Sequence, residues 1–295
     1  MGQSVGASEY GDLRRRLLMK YKLIISDFDG TLAWYDHKVT KRTIEAIKAY
    51  QDKGGIFTIS TGRSYETLAE HLPKYGLDKV DLPIGCYNGA AVYSSKTGKP
   101  LVKYSIPNSL AIEWLQHLEQ YDVYVQCYVD DTIYIKHRAK FSDIYARGQQ
   151  VNFVQVGNLV QFLTKTGFEP SKFVIVGTPD RTLEIDYIYN KLYKYLFGDL
   201  TFMQSHAQLF EIISAKASKG VVAQEIASML NIPLSRTVCI GDNDNDISML
   251  LVAGLSVAVD NARTGVKRVA KYHTWHCSDD GVANVLEQAV LDELP

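Results

Sequence analysis

Short apolar runs alternate with segments of helical spacing along the first third of the chain. Residues 23–25 form an apolar, β-branched run of strand length, and residues 56–60 and 82–86 repeat this pattern. Between them, residues 41–52 and 64–75 carry apolar positions at helical spacing, and glycine follows each segment. The order strand–helix–strand–helix–strand predicts a parallel sheet whose strands are joined by crossover helices.

The pattern changes between about residue 90 and residue 205. Tyr and Phe become frequent there, and polar and apolar residues alternate with period two. Residues 123–129 and 132–136 predict a hairpin, and residues 172–177 predict another strand. Helical spacing predicts a helix over 183–196, with its tyrosines packed at its flanks. These features together indicate an inserted α+β domain.

From residue 206 the first pattern returns. Strands are predicted at 208–213, 237–241 and 256–259, and helices at 219–230, 247–252, 263–270 and 281–291. The whole pattern predicts an α/β fold with a doubly wound parallel-sheet core. We expect an N-terminal tail at 1–20, a core formed by 21–89 and 206–295, and an α+β cap domain at 90–205.

Composition and charge exclude some classes of partner. The 295 residues are 46% hydrophobic, which suffices for a large core. The 32 basic and 33 acidic residues give a formal net charge of −1, so we expect no nucleic-acid partner. The basic run Arg14-Arg15-Arg16 is more typical of the solvated face of a short helix than of a nucleic-acid arm.

The cysteines and the apolar runs indicate the compartment. The four cysteines are far apart and form no C-x-x-C pair, which favours buried, reduced thiols. No apolar run approaches membrane-spanning length, and the N-terminus lacks the apolar region of a signal peptide. We therefore expect a cytoplasmic protein with no membrane partner. The sequence carries no signature of oligomerisation, and our expectation is a monomer or a weak homodimer.

Candidate chemistry begins where the first predicted strand stops, at Asp27 and Asp29, followed by Gly30. Two acids one residue apart at the end of a buried strand would repel each other, so folding alone gives no reason for them. Alternation along an extended backbone puts both side chains on one side, and Gly30 allows a sharp turn beside a ligand. A divalent cation, or a reaction needing one ionised and one protonated carboxyl, explains the pair better than a solvated turn does.

Three predicted strands, ending near residues 26, 60 and 241, lead directly into small polar or acidic residues. Right-handed crossovers bring the carboxyl ends of parallel strands to one edge, where ligands bind. The residues placed there are Asp27, Asp29, Thr61, Gly62 and Asp242. Asp244 and Asp246 make this cluster strongly acidic, and Mg²⁺ with oxygen ligands and retained waters suits it best.

Two further features can bind an anion. Thr61 and Gly62 lead into a predicted helix, whose first backbone N–H groups would form an anion site. Lys219, at another helix start, would supply a positive charge. Thr61 could instead be a simple helix cap, and Lys216 is the competing lysine. Carboxylates, a hard metal ion, amide donors and a lysine together describe a phosphoryl-transfer site.

The chain resembles the haloacid dehalogenase superfamily over roughly residues 21–292. The motifs that carry the resemblance are Asp27-Phe28-Asp29-Gly30-Thr31, Ser60-Thr61-Gly62-Arg63, the lysine of Ser218-Lys219-Gly220, and GDNDND at 241–246. The position of the insertion, after Asn88-Gly89-Ala90 and before Glu211-Ile212, resembles the Cof-type phosphatases, which carry a C2-type α+β cap. One departure is Asp260, where a glycine is expected before Asn261.

The resemblance implies a Rossmann-like core and an aspartyl-phosphate mechanism. Asp27 would attack phosphorus, and Asp29 would protonate the leaving oxygen and later deprotonate the hydrolytic water. Mg²⁺ would be held by the carboxylates of Asp27 and Asp242 and by the backbone carbonyl of Asp29.

The same resemblance assigns the phosphate-binding groups. Thr61, the amide of Gly62 and Lys219 would hold the transferring phosphoryl oxygens. Asn245 and Asp246 would orient the phosphate, Lys219 or metal-bound waters.

Some residues remain open at this point. Arg63 could pair with an internal acid or reach the substrate, and Asn88, at the entry to the cap, could face the cleft. An EF-hand at 242–253 fails, because its sixth position is Ile247 and its twelfth is Ala253. His273 and His276 are more typical of structural histidines than of a metal site.

The sequence thus predicts a Mg²⁺-dependent phosphatase, a phosphoric monoester hydrolase acting on small phosphate esters. The resemblance implies sugar phosphates, and flavin mononucleotide or pyridoxal phosphate as further substrate classes. The alternatives are a phosphomutase or phosphotransferase with the same nucleophile, and a non-catalytic protein that binds a phosphate ligand. Closure of the cap is expected to exclude water and select the substrate.

Overall fold

The computed structural model describes residues 19–34, 38–78, 80–121, 123–130, 132–139, 152–176, 198–206 and 209–295. The helix predicted at 183–196 and the basic run at 14–16 lie outside the described residues.

A five-stranded parallel sheet holds the strand that leads into Asp27. β1 (Leu23–Ser26) pairs with β2 (Ile56–Ile59) on one side and with β12 (Thr237–Gly241) on the other. β13 (Leu255–Ala258) and β14 (Tyr272–His273) complete the order β14-β13-β12-β1-β2. Every residue of β1 is buried, as expected for a strand covered on both faces.

The helices that join these strands pack in two groups. α1 (Lys41–Asp52) packs against α8 (Gly281–Leu291). α5 (Lys219–Met229) packs against α6 (Ile247–Val252), which also contacts α7 (Thr264–Val269). The predicted doubly wound α/β core is therefore confirmed.

A small antiparallel sheet lies beyond β2. β3 (Pro83–Cys86), β4 (Ala91–Ser94) and β5 (Pro100–Lys103) pair in sequence order. A parallel bridge between Ser60 and Gly85 joins β3 to the end of β2. The third predicted strand therefore borders the parallel sheet at the level of the candidate site.

The inserted segment forms a second sheet of six strands, in the order β10-β11-β9-β6-β7-β8. Their bounds are Tyr124–Val129 for β6, Thr132–Ile135 for β7, Asn152–Gln155 for β8, Lys172–Val176 for β9, Leu200–His206 for β10 and Leu209–Ser214 for β11. The β7–β8 pair is parallel and the other pairs are antiparallel. Together with the helices Asn108–Leu118 and Leu159–Thr166 among its described residues, this sheet confirms the α+β insertion.

The two faces of the second sheet differ in what they pack against. One face packs under α3 (Asn108–Leu118) and α4 (Leu159–Thr166), where the rings of Trp114 and Phe173 lie 4.8 Å apart. The opposite face carries residues such as Val174, which belong to the same buried cluster as β1. This face is therefore turned toward the parallel sheet and its carboxyl edge.

Strand pairing suggests domain limits that differ from the expected 90–205. β4 and β5 pair with β3 beside the parallel sheet, whereas β11 pairs with β9 and β10 of the second sheet. We propose that the inserted domain runs from about residue 104 to residue 214, since hydrogen bonding, which composition does not reveal, decides which sheet a strand joins.

The single helix predicted over 64–75 is wrong. α2 (Tyr65–Ala69) ends after five residues, and a separate 3₁₀ turn follows at Leu72–Tyr75. Pro73 has no N–H to donate, and its ring would clash with the preceding turn of a continuous α-helix. By contrast, the elements predicted at 41–52, 237–241, 247–252 and 281–291 have the predicted bounds.

Candidate active site

Asp27 lies at the carboxyl end of β1, between the ends of β2 and β12. Its backbone N–H donates to the carbonyl of Ile240 at 2.9 Å, which extends the pairing with β12 by one residue. The chain then turns tightly, with the N–H groups of Leu32 and Ala33 both donating to the carbonyl of Phe28. The turn holds the residues that follow Asp27 against the sheet edge, and the Asp27 side chain is buried.

Lys219 reaches this edge from the first turn of α5. Its Nζ lies 2.5 Å from Oδ1 of Asp27 and 2.6 Å from Oδ1 of Asp246, and the residue is 1% exposed. The helix start is capped by Ser218, whose hydroxyl accepts from the N–H of Val221. Lys216, the competing candidate, is exposed. The structure therefore brings Lys219 to the acidic cluster and leaves Lys216 outside it.

Asp246 organises the loop after β12. Its Oδ2 accepts the backbone N–H groups of Asp242 and Asn243, both at 2.9 Å, while its Oδ1 accepts from Lys219. The residue is completely buried. Because both carboxylate oxygens are already engaged, Asp246 fixes the positions of Asp242 and Lys219.

Asp242 faces the turn after β1. Thr31 donates its hydroxyl to Oδ1 of Asp242 at 2.8 Å. Gly30 has φ +82°, and a Cβ at this position would lie 2.7 Å from Oδ2 of Asp242. Only glycine tolerates both this conformation and this approach, so the glycine of the first motif makes room for the Asp242 carboxylate.

The carboxylate oxygens of Asp27, Asp242 and Asp246 come within 4.8 Å of one another, close enough to hold one metal ion. Hard oxygen donors of this kind suit Mg²⁺. In the part of the chain that the structure describes, no histidine belongs to such a group, so His273 and His276 stay outside the cluster.

Burial dominates the electrostatics of the cluster. It raises the pKa of Asp27 well above its ordinary range, although Lys219 opposes the shift. Burial and the neighbouring Asp246 raise the pKa of Asp242 to about 6. Burial alone would lower the pKa of Lys219, but Asp246 and Asp27 outweigh it and hold that pKa above its usual value. The lysine therefore stays charged, and the carboxyl groups gain from any further cation.

Thr61 and Gly62 follow β2 at the same edge, before a short helix, and phosphate binding by these two residues stays a prediction. That helix, α2, has only five residues, and its cap is Ser64 and not Thr61. The N–H of Thr61 already donates to the carbonyl of Gly85 at 2.9 Å. The buried Thr61 hydroxyl accepts the N–H of Arg63 at 3.2 Å, so its proton remains for another acceptor.

Arg63 pairs with Asp29, an acid of the same chain whose side chain is 44% exposed. Its Nε and Nη2 donate to the two carboxylate oxygens of Asp29 at 2.7 and 2.6 Å. Its guanidinium also lies over the ring of Phe28, 4.8 Å from the centroid. The side chain of Asp29 is thus turned to Arg63.

These motifs match those of a known family along nearly the whole chain. The model of the haloacid dehalogenase-like hydrolase family matches residues 24–286. The chain belongs to this family. The resemblance seen in the motifs is thereby confirmed.

Two curated relatives and one solved structure illustrate the similarity. The phosphatase YwpJ of Bacillus subtilis is 28% identical over 285 residues, covering 90% of this chain and 99% of its own. The 5-amino-6-(5-phospho-D-ribitylamino)uracil phosphatase YitU of the same organism is 27% identical over 269 residues, covering 90% and 96%. A crystal structure from Thermotoga maritima superposes with a TM-score of 0.78 at 27% identity, covering 91% of this chain and 97% of that one.

Asn88 joins the site to the inserted sheet. Its Oδ1 accepts from Nδ2 of Asn245 at 2.8 Å, and its Nδ2 donates to Oε2 of Glu211 at 3.0 Å. Lys172 donates to the same Oε2 at 2.8 Å and to the carbonyl of Gly62 at 3.2 Å. The structure therefore places Asn88 and Asn245 side by side.

Sequence reasoning missed Lys172 and Glu211 as members of this site. A weak signal was present: in β9 and β11 the charged residue occupies the alternate position that otherwise carries Val174 or Ile213 toward the parallel sheet. A charge on a buried strand face needs a partner. Finding that partner required the pairing of β9 with β11, which is a tertiary fact.

Asn261 was also missed as a support of the site. Its Nδ2 donates to the carbonyl of Gly30 at 2.7 Å, and its Oδ1 accepts the N–H of Cys277 at 2.9 Å. The unexpected Asp260 is exposed and pairs with Lys267.

In the described ranges, no helix is both long and apolar enough to cross a membrane.

Proposed function

We propose that this protein is a Mg²⁺-dependent phosphatase that hydrolyses small phosphomonoesters through an aspartyl-phosphate intermediate. The observation that carries the proposal is the buried contact of Lys219 with Asp27 and Asp246, beside Asp242. The contact combines a carboxylate nucleophile, a fixed positive charge and an acidic metal cluster at the edge where α/β folds bind ligands.

The residues divide the reaction into two displacements. An oxygen of Asp27 bonds to phosphorus while the bond from phosphorus to the ester oxygen breaks, and Asp29 gives that oxygen its proton. Asp29 then takes a proton from a water that attacks the phosphorus of the aspartyl-phosphate. This second step releases inorganic phosphate and returns Asp27 as a carboxylate.

The donor set fits a hard divalent cation. Asp27 and Asp242 would offer carboxylate oxygens, and Asp29 would offer its backbone carbonyl. Asp246 would support the site, since Lys219 and two backbone N–H groups already occupy its oxygens. When bound, Mg²⁺ supplies Lewis-acid charge stabilisation to the phosphoryl oxygens. The raised pKa of Asp242 supports this assignment, because a buried acidic group is stabilised by a cation.

The transferring phosphoryl group would be bound by groups around the cluster. Lys219 neutralises charge that develops on its oxygens, and the Thr61 hydroxyl and the Gly62 amide donate hydrogen bonds. Asn245, held by Asn88, presents its amide at the same cleft. Arg63 would act through Asp29, because its guanidinium is paired there.

The names of two relatives support a substrate class. YitU and YwtE of Bacillus subtilis are both named 5-amino-6-(5-phospho-D-ribitylamino)uracil phosphatases. A phosphate on a small hydroxylated carbon chain, as in a sugar phosphate, is therefore the class we propose. Flavin mononucleotide and pyridoxal phosphate belong in the same substrate panel.

The deciding experiment measures phosphate release from nitrophenyl phosphate with Mg²⁺. We expect turnover that requires the metal and is abolished in Asp27→Asn, which removes the nucleophile but keeps the shape. Turnover that survives this change would overturn the mechanism. Product analysis on sugar phosphates separates a phosphatase, which yields inorganic phosphate, from a phosphomutase, which yields an isomerised sugar phosphate.

A further inference from the structure

The face of the inserted sheet that meets the candidate site carries a buried ion pair. Lys172, on β9, is 5% exposed, and Glu211, on β11, is 7% exposed. Their charged atoms lie 2.8 Å apart. The ammonium of Lys172 also lies over the ring of Tyr128, 4.8 Å from its centroid. Burying two charges costs several kcal/mol, and apolar residues of similar volume usually stabilise such a position as well or better. Stability alone therefore does not explain the pair.

A first chain of hydrogen bonds leads from the ion pair to Thr61. Lys172 binds the carbonyl of Gly62, and the N–H of that same peptide group, which belongs to Arg63, donates to the Thr61 hydroxyl oxygen. The peptide plane is thereby fixed at both ends. Because the Thr61 oxygen accepts this bond, its own proton is available to a phosphoryl oxygen.

A second chain of hydrogen bonds leads from the ion pair to Asn245. The charge of Glu211 sets which group donates and which accepts at each step. Glu211 Oε2 receives the ammonium and can only accept, so Asn88 must turn its NH₂ toward it. Asn88 then presents its carbonyl oxygen to Asn245, which must in turn present its own NH₂. Among the residues that the structure describes, the buried Oδ1 of Asn245 finds no hydrogen-bond partner. Glu211 thus decides which way both amides point.

Both chains of hydrogen bonds therefore lead from one ion pair on the inserted domain to groups that would contact the phosphoryl group. We propose that Lys172 and Glu211 are positioning residues that align the Thr61 hydroxyl and the Asn245 amide for phosphate; this inference rests on the function proposed above. The pair acts only when the inserted sheet lies against the parallel sheet, so it makes phosphate binding depend on that docking.

The test compares Lys172→Met, Glu211→Gln and the double variant with the wild type. The single variants leave a buried group unpaired, so they are expected to lose stability as well as phosphate binding. The double variant removes both charges and restores balance. We expect it to recover most of the urea unfolding midpoint, yet to bind inorganic phosphate with Mg²⁺ about tenfold more weakly by calorimetry, since small misplacements cost such factors. We also expect kcat/KM to fall by a similar factor for an aryl and for an alkyl phosphate.

Lys103→Met is the matched control. Lys103 also pairs with a carboxylate of the inserted domain, Asp130, but at an exposed position. The phosphate affinity of the Lys103→Met variant should equal that of the wild type. If the double variant keeps wild-type phosphate affinity, or loses activity on only one leaving group, the positioning role is wrong. A wild type that binds phosphate but hydrolyses no ester would contradict the proposed function and leave this comparison intact.

Discussion

Arg63 donates two hydrogen bonds to the carboxylate of Asp29, from Nε to Oδ2 at 2.7 Å and from Nη2 to Oδ1 at 2.6 Å. A guanidinium fork matches a carboxylate in one plane and therefore fixes its orientation, which a single ammonium cannot do. The proposed acid of the reaction is thus held by a residue of the second motif. Of the two possibilities that the sequence left open for Arg63, pairing with an acid of the chain is observed, and contact with the substrate stays a prediction.

Replacing Arg63 by Lys should affect substrates according to their leaving group. The variant keeps the charge but loses the fork, so Asp29 is no longer held in one orientation. We expect kcat on an alkyl phosphate, which needs protonation of its leaving oxygen, to fall about 10- to 100-fold. Nitrophenolate leaves without being protonated, so kcat on nitrophenyl phosphate should fall far less. Steady-state kinetics on the two esters checks this, and an equal loss on both would show that Arg63 does not act through Asp29.

Lys219→Met should destabilise the protein strongly. The change leaves Asp27 and Asp246 buried next to each other without their shared cation, and breaking such a buried pair costs about 3–5 kcal/mol. Urea unfolding in EDTA measures the effect. Lys216→Met, three residues earlier and exposed, is the matched control and should change the free energy of unfolding by less than about 0.5 kcal/mol. Equal midpoints for the two variants would contradict the buried contact.

Asp242→Asn should stabilise the metal-free protein at neutral pH. The pKa of Asp242 is raised to about 6 in the folded state from 3.8, so the ionised carboxylate destabilises the fold and stability falls as pH rises through this interval. Asn keeps the acceptor for Thr31 but carries no charge. We expect an advantage of up to about 3 kcal/mol over the wild type at pH 7.5.

The pH dependence and the metal supply the checks on that prediction. At pH 5, where much of the wild-type carboxyl is protonated, the advantage of Asn should shrink by about half. Added Mg²⁺ should stabilise the wild type and leave the variant unchanged. An advantage that does not vary with pH, measured by urea unfolding in EDTA, would assign it to packing and not to the charge.

Gly30→Ala should weaken the metal site specifically. The added methyl group would meet Oδ2 of Asp242, and the positive φ is strained for any L side chain. Gly167→Ala is the matched control, since φ is +67° there and no atom lies within 4 Å of its Cβ. Both variants should lose about 1 kcal/mol of stability. Only Gly30→Ala should raise the Mg²⁺ concentration needed for half-maximal activity, and a similar shift in both variants would contradict the role assigned to Gly30.

Local signals predict the elements of the core and bring forward most residues of the candidate site. Helices such as 281–291 follow from periodicity that is complete within the segment, whereas at 64–75 the helical spacing continues across Pro73, which a continuous helix does not tolerate. The strand at 209–214 was recognised, but whether it joins the parallel or the inserted sheet depends on partners distant in the chain.

The sequence by itself determined that acids would follow β1 and β12 and that a lysine would start α5, because strand length, turn residues and helix starts are encoded by neighbouring residues. Only the tertiary structure decided that Lys219 would lie between Asp27, 192 residues earlier, and Asp246, and that Glu211 of the inserted sheet would accept hydrogen bonds from both Asn88 and Lys172. The physical reason is that the energy of a buried charge depends on every group around it, and those groups come together only when the sheets pack.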